Sequence, residues 1–307
     1  MRSALALAAA LLLAGAGGVA AQARSILAGA DPDAMFADGQ MWIYPTGPGD
    51  RLESWSSIDR RHWRNRGDLI RLRDIGWAAR DGAPRHFLWA PDMVAANGRY
   101  YLYYSIGPQN PTPSRLGVAL CKGPAGPCTD SGRPLVTGGD GFEAIDPMVF
   151  VDPRSGRRLL YAGGSAGARL RVWELSPGMT TIVKEVPVDQ PPGFTEGVFM
   201  HERRGIYYLS WSHGRWNRSD YSVRYATASS PTGPWHYRGT ILSSQGRFKG
   251  PGHHSFVRDP RSGGWLIVYH RWERQAGDGP YPGQRRVAMQ PIRYDRLGRI
   301  EPIRITE

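Results

Sequence analysis

An internal repeat constrains the fold of this chain more than any other feature of its sequence. The segment GRYYLYYS, which begins at Gly98, recurs as GIYYLSWS beginning at Gly205. At the same offset, GVALCKGPAGPCTDSG from Gly117 matches RYATASSPTGPWHYRG from Arg224. Two independent matches at one offset are not expected by chance, so the chain contains repeated structural units.

Three looser copies extend the repeat along the chain. They are GQMWIYPT at Gly39, GRRLLYAGG at Gly156 and GWLIVYHR at Gly264, each a turn glycine followed by a run typical of a β-strand. Successive copies begin about 50 to 60 residues apart, which is long enough for a four-stranded antiparallel sheet. Five such units predict an all-β fold, a five-bladed β-propeller.

Two alternatives explain the sequence less well. A two-sheet sandwich followed by a second domain would not require the same strand–turn–strand unit five times. After the N-terminal segment, no window keeps apolar residues at i, i+3, i+4 and i+7 without interruption by Gly or Pro, so helices are not expected. We therefore predict one propeller domain over residues 24–307.

The first 23 residues, MRSALALAAALLLAGAGGVAAQA, have the layout of a secretory signal peptide. One early cation, Arg2, precedes an Ala/Leu run and a small-residue end, with cleavage expected after Ala21 or Ala23. A retained anchor is the alternative. No other segment is apolar enough to cross a bilayer. The sequence thus predicts an exported protein, periplasmic or extracellular, with a signal peptide over residues 1–23.

The basic residues are spread along the chain rather than clustered. Lys and Arg number 39 against 27 Asp and Glu, a net charge of +12, and nearly all of the cations are Arg. This distribution favours a solvated surface and leaves an anionic cell-wall polymer open as a partner. The absence of a basic block or binding motif argues against nucleic acid.

Cys121 and Cys128 are the two cysteines of the chain. In an oxidising compartment they are expected to form a disulfide that closes the CKGPAGPC loop. They have no paired His at the spacing of a metal site.

Acidic side chains and histidines collect just before the repeated glycines. In a propeller the innermost strands converge on the axis, so residues at equivalent positions project into one central cavity. Carboxylates brought together there would shift one another's pKa values. The candidates are Asp31 and Asp33 of ADPD, Trp89 and Asp92 of LWAPDMV, Asp146 of IDPMVF, Glu196 of FTEGVFM, and His253 and His254 of GPGHHSFV.

Each acid also has a purely structural interpretation. Asp next to Pro often caps a turn, and for Asp33 and Asp92, which follow Pro32 and Pro91, this is at least as good an explanation as catalysis. Asp146 and Glu196 lie in apolar contexts where an acid needs a partner or a function. His253 and His254 are adjacent on a strand, so at most one of them faces the axis.

Taken together, these segments resemble glycoside hydrolase family 43, the five-bladed propeller enzymes that act on arabinose- and xylose-containing glycans. WAPD, IDP, EG, GPGHHS and the ASSPTGPW-type turn occur in the family's order, from ADPDAMF to QRRVAMQPI. Each motif is weak alone, whereas the ordered set, one per blade, is specific.

The resemblance implies a role for each candidate. Asp31 matches the general base, Glu196 the general acid, and Asp146 the third carboxylate, which orients the acid and raises its pKa. Substrate contacts are expected from Trp89, as a sugar-stacking wall, and from Arg285, with Arg286 as the alternative. No cofactor is required, although several members hold a calcium or other ion at the axis near a histidine, here His253.

The predicted function is that of an inverting glycosidase, most simply an exo-acting α-L-arabinofuranosidase. β-Xylosidase and galactan- or galactofuranose-directed activities are the alternatives within the class, and an oligo- or polysaccharide is the expected partner. Many family members carry a C-terminal β-sandwich that closes part of the site. No such sandwich is expected within residues 24–307, which leaves open whether the site is a pocket or a groove.

Two hypotheses from other classes make different predictions. A non-catalytic glycan-binding propeller would usually have lost one of the three acids. A retaining fructosidase-type propeller would carry Asn-Asp-Pro, Arg-Asp-Pro and Glu-Cys motifs. This chain has neither Asn-Asp-Pro nor Glu-Cys, and its single Arg-Asp-Pro, at Arg258, is not accompanied by the other two.

Overall fold

The computed structural model describes residues 25–165 and 167–305, and their regular secondary structure is almost entirely β-strand. The strands form five antiparallel sheets arranged as a five-bladed propeller, which confirms the predicted fold class. Helix in this part of the chain is limited to two short 3-10 turns, Leu72–Asp74 and Ala78–Asp81, and no described helix could span a membrane. The predicted signal peptide lies outside the described residues.

Each blade is built from consecutive strands, innermost first, except that the fifth blade ends on the first strand of the chain. Blade one contains β2 (Ala30–Ala37), β3 (Gln40–Thr46), β4 (Arg51–Ser57) and β5 (Arg64–Arg71). Blade two contains β6 (Phe87–Ala96), β7 (Arg99–Gly107), β8 (Arg115–Cys121), β9 (Cys128–Asp130) and β10 (Val136–Thr137). Blade three contains β11 (Met148–Val151), β12 (Arg158–Ala162), β13 (Arg171–Leu175) and β14 (Ile182–Val186). Blade four contains β15 (Glu196–Arg203), β16 (Ile206–His213), β17 (Ser222–Ala228) and β18 (His236–Leu242). Blade five contains β19 (Phe248–Arg258), β20 (Trp265–Glu273), β21 (Arg286–Ile292) and β1 (Leu27–Ala28).

The ring closes because β1 pairs with β21, Leu27 opposite Val287. Both ends of the described chain therefore contribute to one blade, and an unpaired strand edge is covered. In blade two, the short strands β9 and β10 both pair with β8. Cys121 and Cys128 face each other across β8 and β9 and form a disulfide, as predicted.

The repeated glycines lie in the turns between the first and second strands of their blades. Gly39, Gly98, Gly156 and Gly205 have φ of 73°, 70°, 71° and 81°. Glycine adopts this left-handed backbone without steric cost, which explains its recurrence. In blade five the left-handed residue is Gly263, with φ 70°, so the repeat begins one residue before the position predicted from the sequence.

Buried apolar side chains form one cluster at each of the five interfaces between neighbouring blades. Each cluster therefore holds two sheets together by excluding water from both faces. Representative pairs are Trp42 with Leu102, Tyr103 with Leu160, Tyr161 with Leu209, Tyr208 with Ile267, and Val268 with Ile43.

A ring of hydrogen bonds joins the blades around the axis. In or just before each innermost strand lies a residue with left-handed backbone. These residues are Asp31, Ala90, Asp146, Gly197 and His253, with φ of 45°, 44°, 56°, 58° and 38°. Each donates its backbone N–H to a side chain of the preceding blade. The acceptors, at 2.7 to 3.1 Å, are His270, Thr46, Ser105, Asp146 and Ser212, respectively.

Four of the five acceptors stand seven residues after the repeated turn glycine of their blade, at the end of the second strand. Blade three has Gly163 at this position, and its N–H donates to Ile145 O at 2.9 Å. Because glycine has no side chain, the Asp146 carboxylate takes over the role and accepts the N–H of Gly197 at 3.0 Å. The interruption of the repeat thus brings a carboxylate into the ring.

Replacing Thr46 by Val tests the contribution of this ring to stability. The valine keeps the shape of the side chain but leaves the buried N–H of Ala90, which donates to Thr46 Oγ1 at 2.7 Å, without an acceptor. We expect the free energy of unfolding in urea to fall by about 1–3 kcal/mol. Thr46→Ser keeps the hydroxyl and should lose much less. Equal stability of the Val variant and the wild type would contradict the prediction.

Candidate active site

Asp31, Asp146 and Glu196 are all buried at the axial ends of innermost strands. His253 connects two of them, because its Nδ1 lies 3.2 Å from Asp31 Oδ1 and 3.5 Å from Asp146 Oδ2. Asp146 Oδ2 also accepts the N–H of Gly197, the residue after Glu196. The structure therefore brings together the three carboxylates that the sequence singled out.

The three acids do not occupy equivalent positions, contrary to the sequence-based alignment of the blades. Asp31, Asp146 and His253 share the left-handed position of the ring. Glu196 precedes this position by one residue and corresponds to Trp89 in blade two, since each pairs with the acceptor at the end of the second strand. A β-bulge, which bends a strand locally, lies at this point in blades one, two and four.

Asp31 is surrounded by cationic and polar groups. Burial by itself would raise the pKa of this carboxyl. Arg285, whose guanidinium donates to Asp31 Oδ1 at 3.0 Å, and His253 outweigh burial and hold the pKa well below its ordinary value. Asp31 is therefore ionised at neutral pH, as a general base must be.

His270 completes the surroundings of Asp31 and was not identified from the sequence. Burial, reinforced by Arg285, lowers the pKa of His270 to about 3, so the ring is neutral. Its Nδ1 accepts the backbone N–H of Asp31 at 3.1 Å and cannot at the same time donate to Oδ1, which lies 3.3 Å away. His270 thus holds the backbone of the base, while Arg285 and His253 hold its carboxylate.

The pKa of Asp146 is shifted in the opposite direction to that of Asp31. Burial raises its pKa to about 7, and the neighbouring charges of Glu196 and Asp31 add to this despite the opposing influence of His253. Its backbone is fixed by Ser105, whose Oγ accepts the Asp146 N–H at 2.9 Å. Asp146 can therefore exchange a proton near neutral pH.

Glu196 accepts two hydrogen bonds from hydroxyl groups that the sequence did not single out. Tyr221 donates to Oε1 at 2.7 Å and Ser165 donates to Oε2 at 2.5 Å. Tyr221 directly precedes β17 and Ser165 follows β12, so neither lies in a motif near the acid.

Asp33 and Asp92 tie blades together. Asp33 accepts the N–H of Met93 at 2.9 Å, and Asp92 accepts the N–H of Val149 at 2.9 Å. Burial raises the pKa of Asp33 to about 6, and burial together with Asp33 raises that of Asp92 well above its ordinary value. Both residues lie within innermost strands, so their structural role is to hold the next blade rather than to cap a turn as the sequence suggested.

Two tryptophans, Trp89 and Trp216, are candidates to contact a sugar. Trp89 packs on Gly107, where an added Cβ would come within 2.2 Å of the indole, and it stacks on Phe87 with centroids 5.6 Å apart. Arg285 lies over Trp216, 4.9 Å from the ring centroid, and 44% of Trp216 is exposed. Trp216 was not identified from the sequence, although an exposed tryptophan beside the guanidinium that binds Asp31 is suited to contact a sugar ring.

The predicted ion near His253 has few protein ligands here. The Nδ1 of His253 is directed at Asp31 and Asp146. Within residues 25–165 and 167–305, no group of three or more His, Cys, Asp or Glu side chains is arranged to hold a metal. The side chains alone do not form a cage for an ion, and we derive no catalytic step through one.

Comparison with known families agrees with this geometry. The sequence profile of "Glycosyl hydrolases family 43" matches residues 24–299. The chain belongs to family 43 of the glycosyl hydrolases. It is therefore a glycosidase, an enzyme class that generally needs no cofactor.

Characterised relatives cover most of this family 43 enzyme. A β-D-galactofuranosidase of Aspergillus niger is 33% identical over 298 residues, which span 90% of this chain and 83% of that protein. A xylosidase/arabinosidase of Humicola insolens is 28% identical, over 88% of this chain and 95% of that protein. A family 43 enzyme of Xanthomonas citri, solved with xylotriose, superposes with a TM-score of 0.72 at 26% identity, covering 93% of both chains.

The raised pKa of Asp146 predicts how the stability of the enzyme depends on pH. Its pKa is 3.8 in the reference state and about 7 in the folded enzyme, so the folded state binds more protons between these values. Stability that is present at low pH is therefore lost as the pH rises from about 4 to 7. At pH 8 the free energy of unfolding of Asp146→Asn, measured in urea, should be roughly 1–3 kcal/mol higher than that of the wild type. At pH 4 the two should differ little.

The control for this measurement is Asp140→Asn, at an exposed residue whose φ of 52° is also left-handed. It should keep the pH dependence of the wild type. If Asp146→Asn changes stability equally at both pH values, the carboxyl does not titrate as described.

Proposed function

We propose that this enzyme is an inverting, exo-acting α-L-arabinofuranosidase of plant cell-wall glycans. The observation that carries the proposal is the division between Asp31, held ionised by Arg285 and His253, and Glu196, held by two hydroxyl groups. A base and an acid are thus supplied from different blades of one cavity. That is the arrangement a single-displacement hydrolysis requires.

In this proposal Asp31 activates water. Its carboxylate takes a proton from a water molecule while the water oxygen attacks the anomeric carbon from the face opposite the leaving group. Its low pKa keeps Asp31 ionised, so the carboxylate is available as a proton acceptor. The backbone, held at φ 45°, fixes the position of this carboxylate. Asp31 is connected to Glu196 through His253, Asp146 and Gly197, which supports a separation wide enough for water.

Glu196 protonates the leaving oxygen as the glycosidic bond breaks. Asp146 positions the strand that carries this acid. Its carboxylate accepts the backbone N–H of Gly197, the residue after Glu196, and so fixes the start of β15.

The relatives support a small sugar as the substrate, and a furanose in particular. Their names include xylosidase/arabinosidase, arabinoxylan arabinofuranohydrolase and β-D-galactofuranosidase. β-D-Galactofuranosyl release is the second candidate, because that relative is 33% identical and the two sugars share the configuration of their ring carbons. The two sugars differ in the exocyclic chain, so the depth of the site determines which of them is the better substrate.

We further propose that the enzyme is exported after removal of residues 1–23 and meets its polysaccharide outside the cytoplasm. The Cys121–Cys128 disulfide supports an oxidising compartment. Fractionation of cells, with N-terminal sequencing of the mature protein, tests this proposal. Elemental analysis of dialysed enzyme tests separately for an ion near His253.

Replacing Glu196 by Gln tests the proposed acid. The amide keeps the shape and a hydrogen-bond acceptor but carries no transferable proton, so kcat on an unactivated arabinofuranoside should fall by at least about 100-fold. The control is Glu202→Gln, on the same strand, where Glu202 Oε1 accepts the turn N–H of Gly205. The control should keep its activity. A Glu196→Gln enzyme that turns over normally would refute the assignment.

A panel of nitrophenyl glycosides tests the substrate and the stereochemistry. We expect the highest kcat/KM for α-L-arabinofuranoside, followed by β-D-galactofuranoside, β-D-xyloside and β-D-galactoside. Proton NMR during hydrolysis should show the β-anomer of arabinose forming first, because single displacement inverts the anomeric carbon. Initial formation of the α-anomer would contradict inversion, and preference for the galactofuranoside would favour the second candidate.

A further inference from the structure

The two hydroxyl groups on Glu196 are held very differently. Tyr221 is fully buried, and its ring lies parallel to that of His270, with centroids 5.8 Å apart and an interplanar angle of 7°. Gly252 provides the space, since a Cβ there would come within 2.2 Å of the tyrosine ring. Ser165, in contrast, is exposed and lies on the connection between β12 and β13. The Oε1 atom of Glu196 is therefore fixed to the wall of the propeller, while Oε2 faces an exposed group.

We propose that Tyr221 is the positioning residue of the general acid, and that it makes Oε2 the oxygen that delivers the proton. This rests on the proposed hydrolytic function. With Oε1 held by the tyrosine hydroxyl at 2.7 Å, the carboxyl cannot rotate to present either oxygen equally. Ser165, at 2.5 Å from Oε2, then occupies the direction from which a glycosidic oxygen would approach.

The reaction strengthens this hydrogen bond. As the proton moves from Oε2 to the glycosidic oxygen, the C–O bond breaks, the water oxygen bonds to the anomeric carbon, and Asp31 takes the proton of the water. Negative charge develops on Glu196 as its proton leaves. A fixed O–H donor aimed at Oε1 stabilises this charge more in the transition state than in the ground state.

Tyr221 remains a donor throughout. Burial, followed by the nearby charge of Glu196, raises its pKa well above the ordinary value, so the phenol does not ionise at working pH. Its ring also stacks on His270, which accepts the N–H of Asp31 at 3.1 Å. One side chain therefore touches both the acid and the residue that holds the backbone of the base.

Tyr221→Phe, which keeps the ring and removes only the hydroxyl, tests the inference. The variant is assayed on two arabinofuranosides, one with a dinitrophenyl leaving group, which needs no protonation, and one with an alkyl leaving group, which does. We expect kcat/KM for the alkyl glycoside to fall roughly 10- to 100-fold and that for the dinitrophenyl glycoside to fall less than about 3-fold. The ratio of the two values does not depend on the fraction of enzyme that is folded.

The matched control is Tyr225→Phe in the same blade. Its hydroxyl is also buried but accepts the N–H of Ile300 at 3.0 Å, away from the acids. This variant should leave the ratio unchanged even if its stability falls. Equal losses on both substrates in Tyr221→Phe, or no loss on either, would overturn the inference. Wild-type enzyme that hydrolyses neither glycoside would instead contradict the proposed arabinofuranosidase function.

Discussion

In or just before each innermost strand, a residue with left-handed backbone donates its N–H to a side chain of the preceding blade. A buried N–H without a partner would cost about 1–3 kcal/mol, so each blade fixes the start of the next. Asp31, Asp146 and His253 occupy three of these five positions, and Glu196 is the residue before the fourth. The contacts that close the propeller thereby also set the directions of the reacting carboxyls.

Asp31 and Asp146 belong to the same site, but their pKa values are shifted in opposite directions. Both are buried, which alone would raise the pKa of each. Arg285 and His253 reverse this for Asp31, whereas Asp146 faces the charges of Glu196 and Asp31 and has a pKa of about 7. Neighbouring carboxyls in one site thus have pKa values shifted in opposite directions by their surroundings. Tyr221 extends this arrangement, because it fixes one oxygen of the acid and leaves the other to act.

Much of the site could be predicted because the repeat and the family motifs are local in sequence. Asp31, Asp146, Glu196, His253 and Arg285 were all identified in this way, and the structure brings them together. The hydroxyl partners Tyr221 and Ser165 could not be found, because each lies on a connection whose path depends on packing. His270 could have been predicted from the sequence, because it stands seven residues after its turn glycine, as Thr46, Ser105 and Ser212 do.

The sequence by itself determined the number of blades and the acids that meet at the axis, because turn glycines and strand patterns act over a few residues. Tertiary structure decided which acids are equivalent. Strand pairing sets Glu196 opposite Ser212 as it sets Ala30 opposite Thr46, so Glu196 lies one position before the residue that corresponds to Asp31. The tertiary structure also determines the charge of these acids. Asp31, for example, is held ionised by Arg285, which lies 254 positions away in the chain. Such electrostatic effects act through space and leave no periodic trace in the sequence.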